Sequence, residues 1–474
     1  MIALTASPRA LLPLALLVAA CSATQGVPKP SPHRAAPERR VETPTPAPSP
    51  VEHPVGTPWT LDQVLDRISR ENPSLAQAEA LLREAQAGVT MGQAGFWPEL
   101  SLGLDYGAST NPAQAFALRL NQDRVDLGNG LAPNLEGTDN WRKEVRVDWV
   151  LWDPTRSAQL RAAEAWERSA RADSSASEHR LRLAGVQGWF QLKAAVAMQE
   201  VLADSIGVVQ ERLTQTSKRQ AEGAALKADV LRLEVRLAQA RQESADAELM
   251  VHTTRSALNR LMARPPAAEL PTAEAPDTAW LRTPLSENPA ELIAQALASR
   301  PDLRAAQERL RSLEFRAQAA RKAGGAQVVA FGAYDVDGHD LGFDTDLDST
   351  SVGIGVRLPL SKRTAARREA GQAQADAARA GLQSLAQSIE SQVSDAHQAL
   401  RVARQQLELA SSAIATAEEA YRIVAESQDA GGATVTDVLE AELARRKARV
   451  SQVTSQFRVQ IALANLAQAV GILR

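Results

Sequence analysis

Residues 72–107 read NPSLAQAEALLREAQAGVTMGQAGFWPELSLGLDYG, and residues 300–335 read RPDLRAAQERLRSLEFRAQAARKAGGAQVVAFGAYD. The two stretches align without a gap, Pro73 on Pro301, Leu75 on Leu303 and Tyr106 on Tyr334. Each begins as a helix and ends in alternation. Leu100, Leu102, Leu104 and Tyr106 point one way and Ser101, Gly103 and Asp105 the other, the period of a strand with one apolar face. A short helix precedes each stretch, near Leu61–Arg70 and Glu291–Ser299. One helix–strand plan is therefore written twice.

A second alternating segment follows in each half. The first, EVRVDWVLW, puts Val145, Val147, Trp149 and Leu151 on one face; the second, SVGIGVRLPL, does so with Val352, Ile354, Val356 and Leu358. The expected strands cover about 98–108, 143–152, 326–336 and 350–360. Each is about 9–11 residues long, enough for a tilted strand to cross a bilayer. Trp97 and Trp152 fall at the same end of the first pair, where an interfacial aromatic belt would lie. Four strands cannot close a barrel, and an open edge in lipid leaves backbone groups unpaired at several kcal/mol each. The sheet is expected to close through copies of itself; counting alone permits a dimer with eight strands or a trimer with twelve.

Between strand pairs the chain is helical. From Thr155 to about Glu222, and from Thr364 to about Gln428, only isolated glycines interrupt, among them Gly185, Gly188 and Gly207. Each run is roughly 65 residues, or about 100 Å. Each ends on the same phrase, GAALKADVLRLE from Gly223 and GGATVTDVLEAE from Gly431, and then returns, to Ala263 and Leu473. Gly223, Gly431 and Gly432 read as hairpin tips that supply the φ > 0 turn ending a long helix. Asp229 and Asp437 fall in the first turns of the return helices, where the dipole favours an acid, and Glu440 lies one turn after Asp437 on the same face. The pre-strand helices, stacked on the return arms, would nearly match the uninterrupted arms in length.

Composition agrees with long helices: 474 residues, 44% hydrophobic but only 4% aromatic, and a formal charge of −3. This balance, without a basic stripe, gives no case for a nucleic-acid partner, and none is expected. Residues 1–20 read as a secretory signal, with a short apolar run at Ala10–Ala20. It ends in VAAC, which resembles a bacterial lipobox and marks Cys21, the only cysteine, as a lipidation site. Ser22, by resemblance to Gram-negative lipoproteins, suggests sorting to the outer membrane. Residues 21–58 form a Pro-rich tether, 59–263 the first repeat, 264–286 a linker and 287–474 the second repeat.

The doubled NP/RP-x-L opening, the strand exits LWDPTRSA and PLSKRTAA, and the doubled G-x5-D-V-L tip together resemble the TolC family of outer-membrane efflux and secretion channels, including its lipidated members. The likeness spans about Trp59 to Leu473. It implies a mainly α fold with membrane β: long helical hairpins forming a periplasmic tunnel, plus four strands per chain in a trimeric twelve-stranded outer-membrane β-barrel. It implies a homotrimer that works with a periplasmic adaptor and an inner-membrane pump of RND or ABC type, in contact with outer-membrane lipid. It places Asp437 and Glu440 at the family's periplasmic constriction and Asp229 in the neighbouring hairpin that takes part in closure. The sequence departs from the family at Ala433, where a basic residue is common, and at Gln428, where an aromatic is common.

If three copies share one axis, rings of Asp437 and Glu440 would favour cations, and their mutual repulsion would raise some of their pKa values. Enzyme chemistry is not expected: nucleophile and phosphate motifs are absent, the six histidines are scattered, and no cofactor or metal motif appears. The acidic run Asp335–Asp348 lacks EF-hand spacing and reads as a loop; the first interstrand loop, Ala108–Arg142, is longer and reads as a cap on the outer mouth. The competing class is a periplasmic coiled-coil adaptor or structural lipoprotein without a pore, which should carry one hairpin flanked by small β-domains.

Overall fold

The computed structural model describes residues 57–125, 137–273, 285–341, 348–359 and 362–473. The chain divides into two units, Met1–Thr57 and Pro58–Arg474, and every described element lies in the second. The signal segment, Cys21, the tether, much of the inter-repeat linker and part of the acidic loop lie outside the described residues.

The first repeat runs α1 (Leu61–Glu71), α2 (Pro73–Ala94), β1 (Glu99–Ser109), α3 (Pro112–Asn121), β2 (Thr138–Trp152), α4 (Arg156–Ala221) and α5 (Lys227–Leu261). The second runs α6 (Pro289–Ser299), α7 (Pro301–Lys322), β3 (Gln327–Gly338), β4 (Asp348–Arg357), α8 (Lys362–Asp429) and α9 (Val435–Val470). The order is thus repeated, except for α3, a helix inside the first interstrand loop where the apolar pattern predicts none. Its start has a local cause. Asn111 caps it through Ala113 and Gln114 N–H and Pro112 opens it, the arrangement that Asn72-Pro73 and Asn288-Pro289 use for α2 and α6.

The long arms α4 and α8 are unbroken over 66 and 68 residues, roughly 100 Å each. Gly185 does not interrupt α4; it admits α1, because a Cβ there would stand 2.7 Å from Ile68 Cδ1. Each return arm meets the pre-strand helix of its own repeat end to end. At the first junction Asn72 Nδ2 donates to Leu261 O of α5 at 2.8 Å, while its Oδ1 accepts from Ser74 N of α2 at 2.9 Å. At the second, Ser299 Oγ donates to Val470 O at 2.7 Å and Arg300 Nη1 to Ala469 O at 3.2 Å. One side chain, or one adjacent pair, thus satisfies helix-end groups that would otherwise lack partners. The four rods stand in the order α5/α2, α4, α9/α7, α8, with α4 packed against the composite rods on either side of it.

Apolar burial concentrates where α1 and α6 cover the rods. One cluster joins Trp59, Val64 and Ile68 to Val186, Trp189 and Leu258; the other joins Leu292 and Leu303 to Ile389, Val393 and Leu466. Between these clusters and the sheet, α4 and α7 approach through small residues. Ser169 Oγ donates to Ala305 O at 3.0 Å and Ser312 Oγ to Ala162 O at 2.8 Å, tying α4 to α7.

The four strands form one antiparallel sheet in the order β1-β2-β3-β4. Register places Leu100 opposite Val147, Leu102 opposite Val145, Val147 opposite Gly332 and Gly332 opposite Val352. These side chains share one apolar face. Asp105, Arg142, Glu144, Arg146, Asp335 and Asp337 alternate onto the other. β2 extends five residues beyond the expected start at 143, to Thr138. No described helix is long and apolar enough to cross a membrane.

Candidate functional site

Both hairpin tips are built alike. At the end of α4, Gly223 takes φ +77°, its N–H reaching Gln220 O and Ala224 N reaching Arg219 O. At the end of α8, Gly431 takes φ +83°, with Gly431 N on Gln428 O and Gly432 N on Ser427 O. These are Schellman endings, whose left-handed position is cheap only for glycine. Gly432 itself is not left-handed. It serves the turn by close approach, since a Cβ there would lie 3.0 Å from Ser427 Oγ.

The return helices then start on their acids. Thr434 and Asp437 form a capping box: Asp437 N donates to Thr434 Oγ1 at 3.2 Å, and Asp437 Oδ2 accepts from Thr434 N and Oγ1 at 2.8 and 2.7 Å. These bonds hold the Asp437 carboxyl below the usual aspartate range. Within one protomer the shift is opposite to the rise that repulsion around a ring would produce. Asp437 and Glu440 are both exposed, and Glu440 makes no ion pair among the described residues. Asp229 is half-buried and accepts from Arg232 Nη1 at 3.2 Å; the same nitrogen reaches Thr436 Oγ1 at 3.4 Å. Arg232 therefore spans from α5 to the start of α9 and brings Asp229 beside the Asp437 tip.

Further cross-links were not visible in the sequence. Arg212 and Arg219 of α4 both reach Asp429 Oδ1 at the end of α8, at 3.3 and 3.4 Å, and Arg212 Nη1 also reaches Gln428 Oε1 at 3.2 Å. Gln428 thus joins the two hairpins. About 8 Å above Asp437 lies a buried charged layer. Glu442, only 2% exposed, accepts from Ser205 Oγ at 2.5 Å and faces Arg236 Nη2 at 3.5 Å. Arg236 also faces Glu243 at 3.7 Å, and Glu243 pairs with Arg446. Burial, with Arg236 nearby, pulls the Arg446 pKa down to about 10. The layer ties α9 to both α4 and α5.

At the other end of the molecule, Trp97 and Trp152 stand exposed beside the base of the sheet, with Trp149 Nε1 on Phe96 O at 3.1 Å. Tyr106 and Trp141 meet near the far end of the strands, 4.8 Å apart. Between these aromatic groups the apolar face exposes Leu100, Leu102, Leu104, Val352, Ile354 and Val356. Among the described residues, β1 and β4 each pair along one side only. No group of three or more His, Cys, Asp or Glu among the described residues could hold a metal ion.

Residues 64–264 and 292–472 match the family model for outer membrane efflux proteins, one segment for each repeat. The chain belongs to the outer membrane efflux protein family. It is an outer-membrane efflux channel of the kind that serves tripartite systems. Its fold is that of solved channels. It is similar to the outer membrane protein VceC from Vibrio cholerae, with 19% identity and a TM-score of 0.71 over 87% of this chain and 96% of that one. It is similar to the Campylobacter jejuni CmeC channel, with 16% identity and a TM-score of 0.72 over 87% and 85%. It is also similar to the open state of the Neisseria gonorrhoeae MtrE channel, with 18% identity and a TM-score of 0.69 over 87% and 88%. A comparison with curated proteins gave no match. The doubled strand pairs and hairpins argue against the adaptor reading, since the channel family model covers both repeats.

Proposed function

We propose that three copies of this channel form one exit duct, its four-stranded sheets joined β4 to β1 into a twelve-stranded barrel and its rods joined α8 to α5/α2 into a tunnel. The observation that carries this reading is the sheet itself: an exposed apolar face and, among the described residues, two unpaired edges. In lipid each unpaired backbone group costs several kcal/mol, and a sister sheet removes that cost. The rods favour the same closure, because the outermost ones expose Leu409 and Ile423 on α8 and Leu231, Val235 and Leu249 on α5. Trp97 and Trp152 would mark the inner membrane–water boundary of the barrel. Acylation of Cys21, with the 21–58 segment as tether, would add a lipid anchor.

The tips would be the periplasmic gate. Asp437 and Glu440 would form the charged constriction, Asp229 would be held back by Arg232, and Gly223, Gly431 and Gly432 would shape the turns. An adaptor and an inner-membrane pump of RND or ABC type would open it and deliver cargo. The test is ion selectivity in planar bilayers. Asp437→Asn combined with Glu440→Gln should reduce cation preference several-fold while the trimer, followed as a heat-modifiable band, persists. Unchanged selectivity would remove these acids from the gate, and a monomeric species in the outer membrane would remove the duct.

A further inference from the structure

The loop helix α3 is not needed to close the conduit, yet it is fastened to one side of the sheet. Thr138, Asn140 and Arg142 of β2 and Asp337 of β3 all lie on the polar face. Arg119 Nε of α3 donates to Thr138 Oγ1 at 2.8 Å. Gln122, which caps the helix, donates through Nε2 to Asn140 Oδ1 at 2.9 Å and to Asp139 O at 2.6 Å. Asn140 Nδ2 in turn donates to the Asp337 carboxylate, which also accepts from Arg142 Nε at 3.2 Å. Thr138, Asn140, Gln122 and Asp337 are 4%, 5%, 8% and 5% exposed, whereas the edge strands β1 and β4 are almost wholly exposed. Four polar side chains are buried together and each is hydrogen-bonded, three of them in one network of Gln122, Asn140 and Asp337 and the fourth, Thr138, to Arg119. Such a network specifies one position for α3, because a half-made version would leave buried groups unsatisfied.

We infer that α3 forms a constriction at the outer mouth, a size filter on cargo leaving the duct. This assignment rests on the trimeric reading, in which the polar face lines the lumen. Twelve strands about 4.8 Å apart and tilted about 40° enclose roughly 24 Å between backbones, and a helix with its side chains is about 10 Å thick. Three copies of α3 folded to the inner side occupy most of that opening. The side of α3 turned away from the network presents Ala113, Ala117 and half-exposed Leu120, spaced as one helical stripe. The filter edge is therefore apolar, and it discriminates by cross-section more than by charge.

The experiment is polymer exclusion on the full chain in planar bilayers, with polyethylene glycols of graded size added to the outer side only. In one variant a Gly-Ser segment of equal length replaces Pro112–Asn121; in a second, Arg119→Ala and Gln122→Ala cut the fastening and keep the helix. The largest polymer that enters should rise in radius by about twofold in the first variant and by less in the second. An unchanged cut-off in both, in channels that conduct as trimers, would overturn the role of α3 and leave the duct intact. An electrically silent native protein would overturn the trimeric reading, and the filter with it.

Discussion

Replacing Glu442 by Gln is the most informative perturbation of the tip region. The carboxylate is almost fully buried, accepts from Ser205 Oγ at 2.5 Å and stands 3.5 Å from Arg236 Nη2. At an effective dielectric constant near 20, a unit pair at that distance is worth roughly 5 kcal/mol before desolvation. The amide keeps the shape and the Ser205 hydrogen bond but removes the charge. Arg236 is then left with Glu243 at 3.7 Å, a carboxylate that is far more exposed, and its buried Nε already lacks a hydrogen-bond partner. Removing one member of a buried pair costs about 3–5 kcal/mol, most of it the stranded charge. The remaining Glu243 contact places the expected loss near the low end, about 3 kcal/mol. Because the layer joins α9 to α4 and α5, the loss should appear as freer tip separation: higher conductance in bilayers and faster cross-linking between cysteines placed in α9 and α4. Adding Arg236→Gln should recover much of the loss, with a coupling energy above about 1 kcal/mol. Equal conductance in Glu442→Gln and native channels, or purely additive single effects, would refute the claim that this layer holds the hairpins together.

Other outcomes are expected from single features. Ala263 ends α5 with φ +53° in the role that Gly471 fills at φ +82° in the second repeat; Ala263→Gly should stabilise the chain by about 1 kcal/mol, seen as a higher melting temperature. Asn72→Ala leaves both Leu261 O and Ser74 N without their side-chain partner and should cost about 1–2 kcal/mol in the same assay. Asp437 has a folded pKa below its unfolded value of about 4, so its cap is intact above that value and is lost as pH falls through the lower folded pKa. Thr434→Val removes the hydroxyl that accepts from Asp437 N and donates to its carboxylate, and should move the acid-induced loss of cation selectivity to higher pH; an unshifted midpoint would show that the cap does not set this titration.

The architecture was legible where it rests on period and punctuation. Alternation at Leu100–Tyr106 and Val352–Leu358 marks the strands, because a one-sided apolar face must repeat every second residue. Glycines followed by Asp-Val-Leu mark the tips, because a left-handed helix ending and an acid at the next helix start are local requirements. The tip contacts were not legible. Arg236, Glu442 and Arg446 look like ordinary charges on a long polar helix, and only the crossing of α9 over α4 and α5 makes them interior. Likewise Arg212 and Arg219 lie more than 200 residues from Asp429 in sequence, and no local rule pairs them. The α3 helix is a different case. Its Asn-Pro start was present, but ten residues with a single buried position carry little apolar pattern.

The four rods of the chain are not built alike. α4 and α8 run without a break, whereas the other two are each spliced at the waist, one by Asn72 and one by Ser299 with Arg300. In the proposed duct, a push applied at the foot would travel up the seamless columns as through stiff levers. The spliced columns would pivot at their joints, so that a spreading foot need not wrench the sheet above.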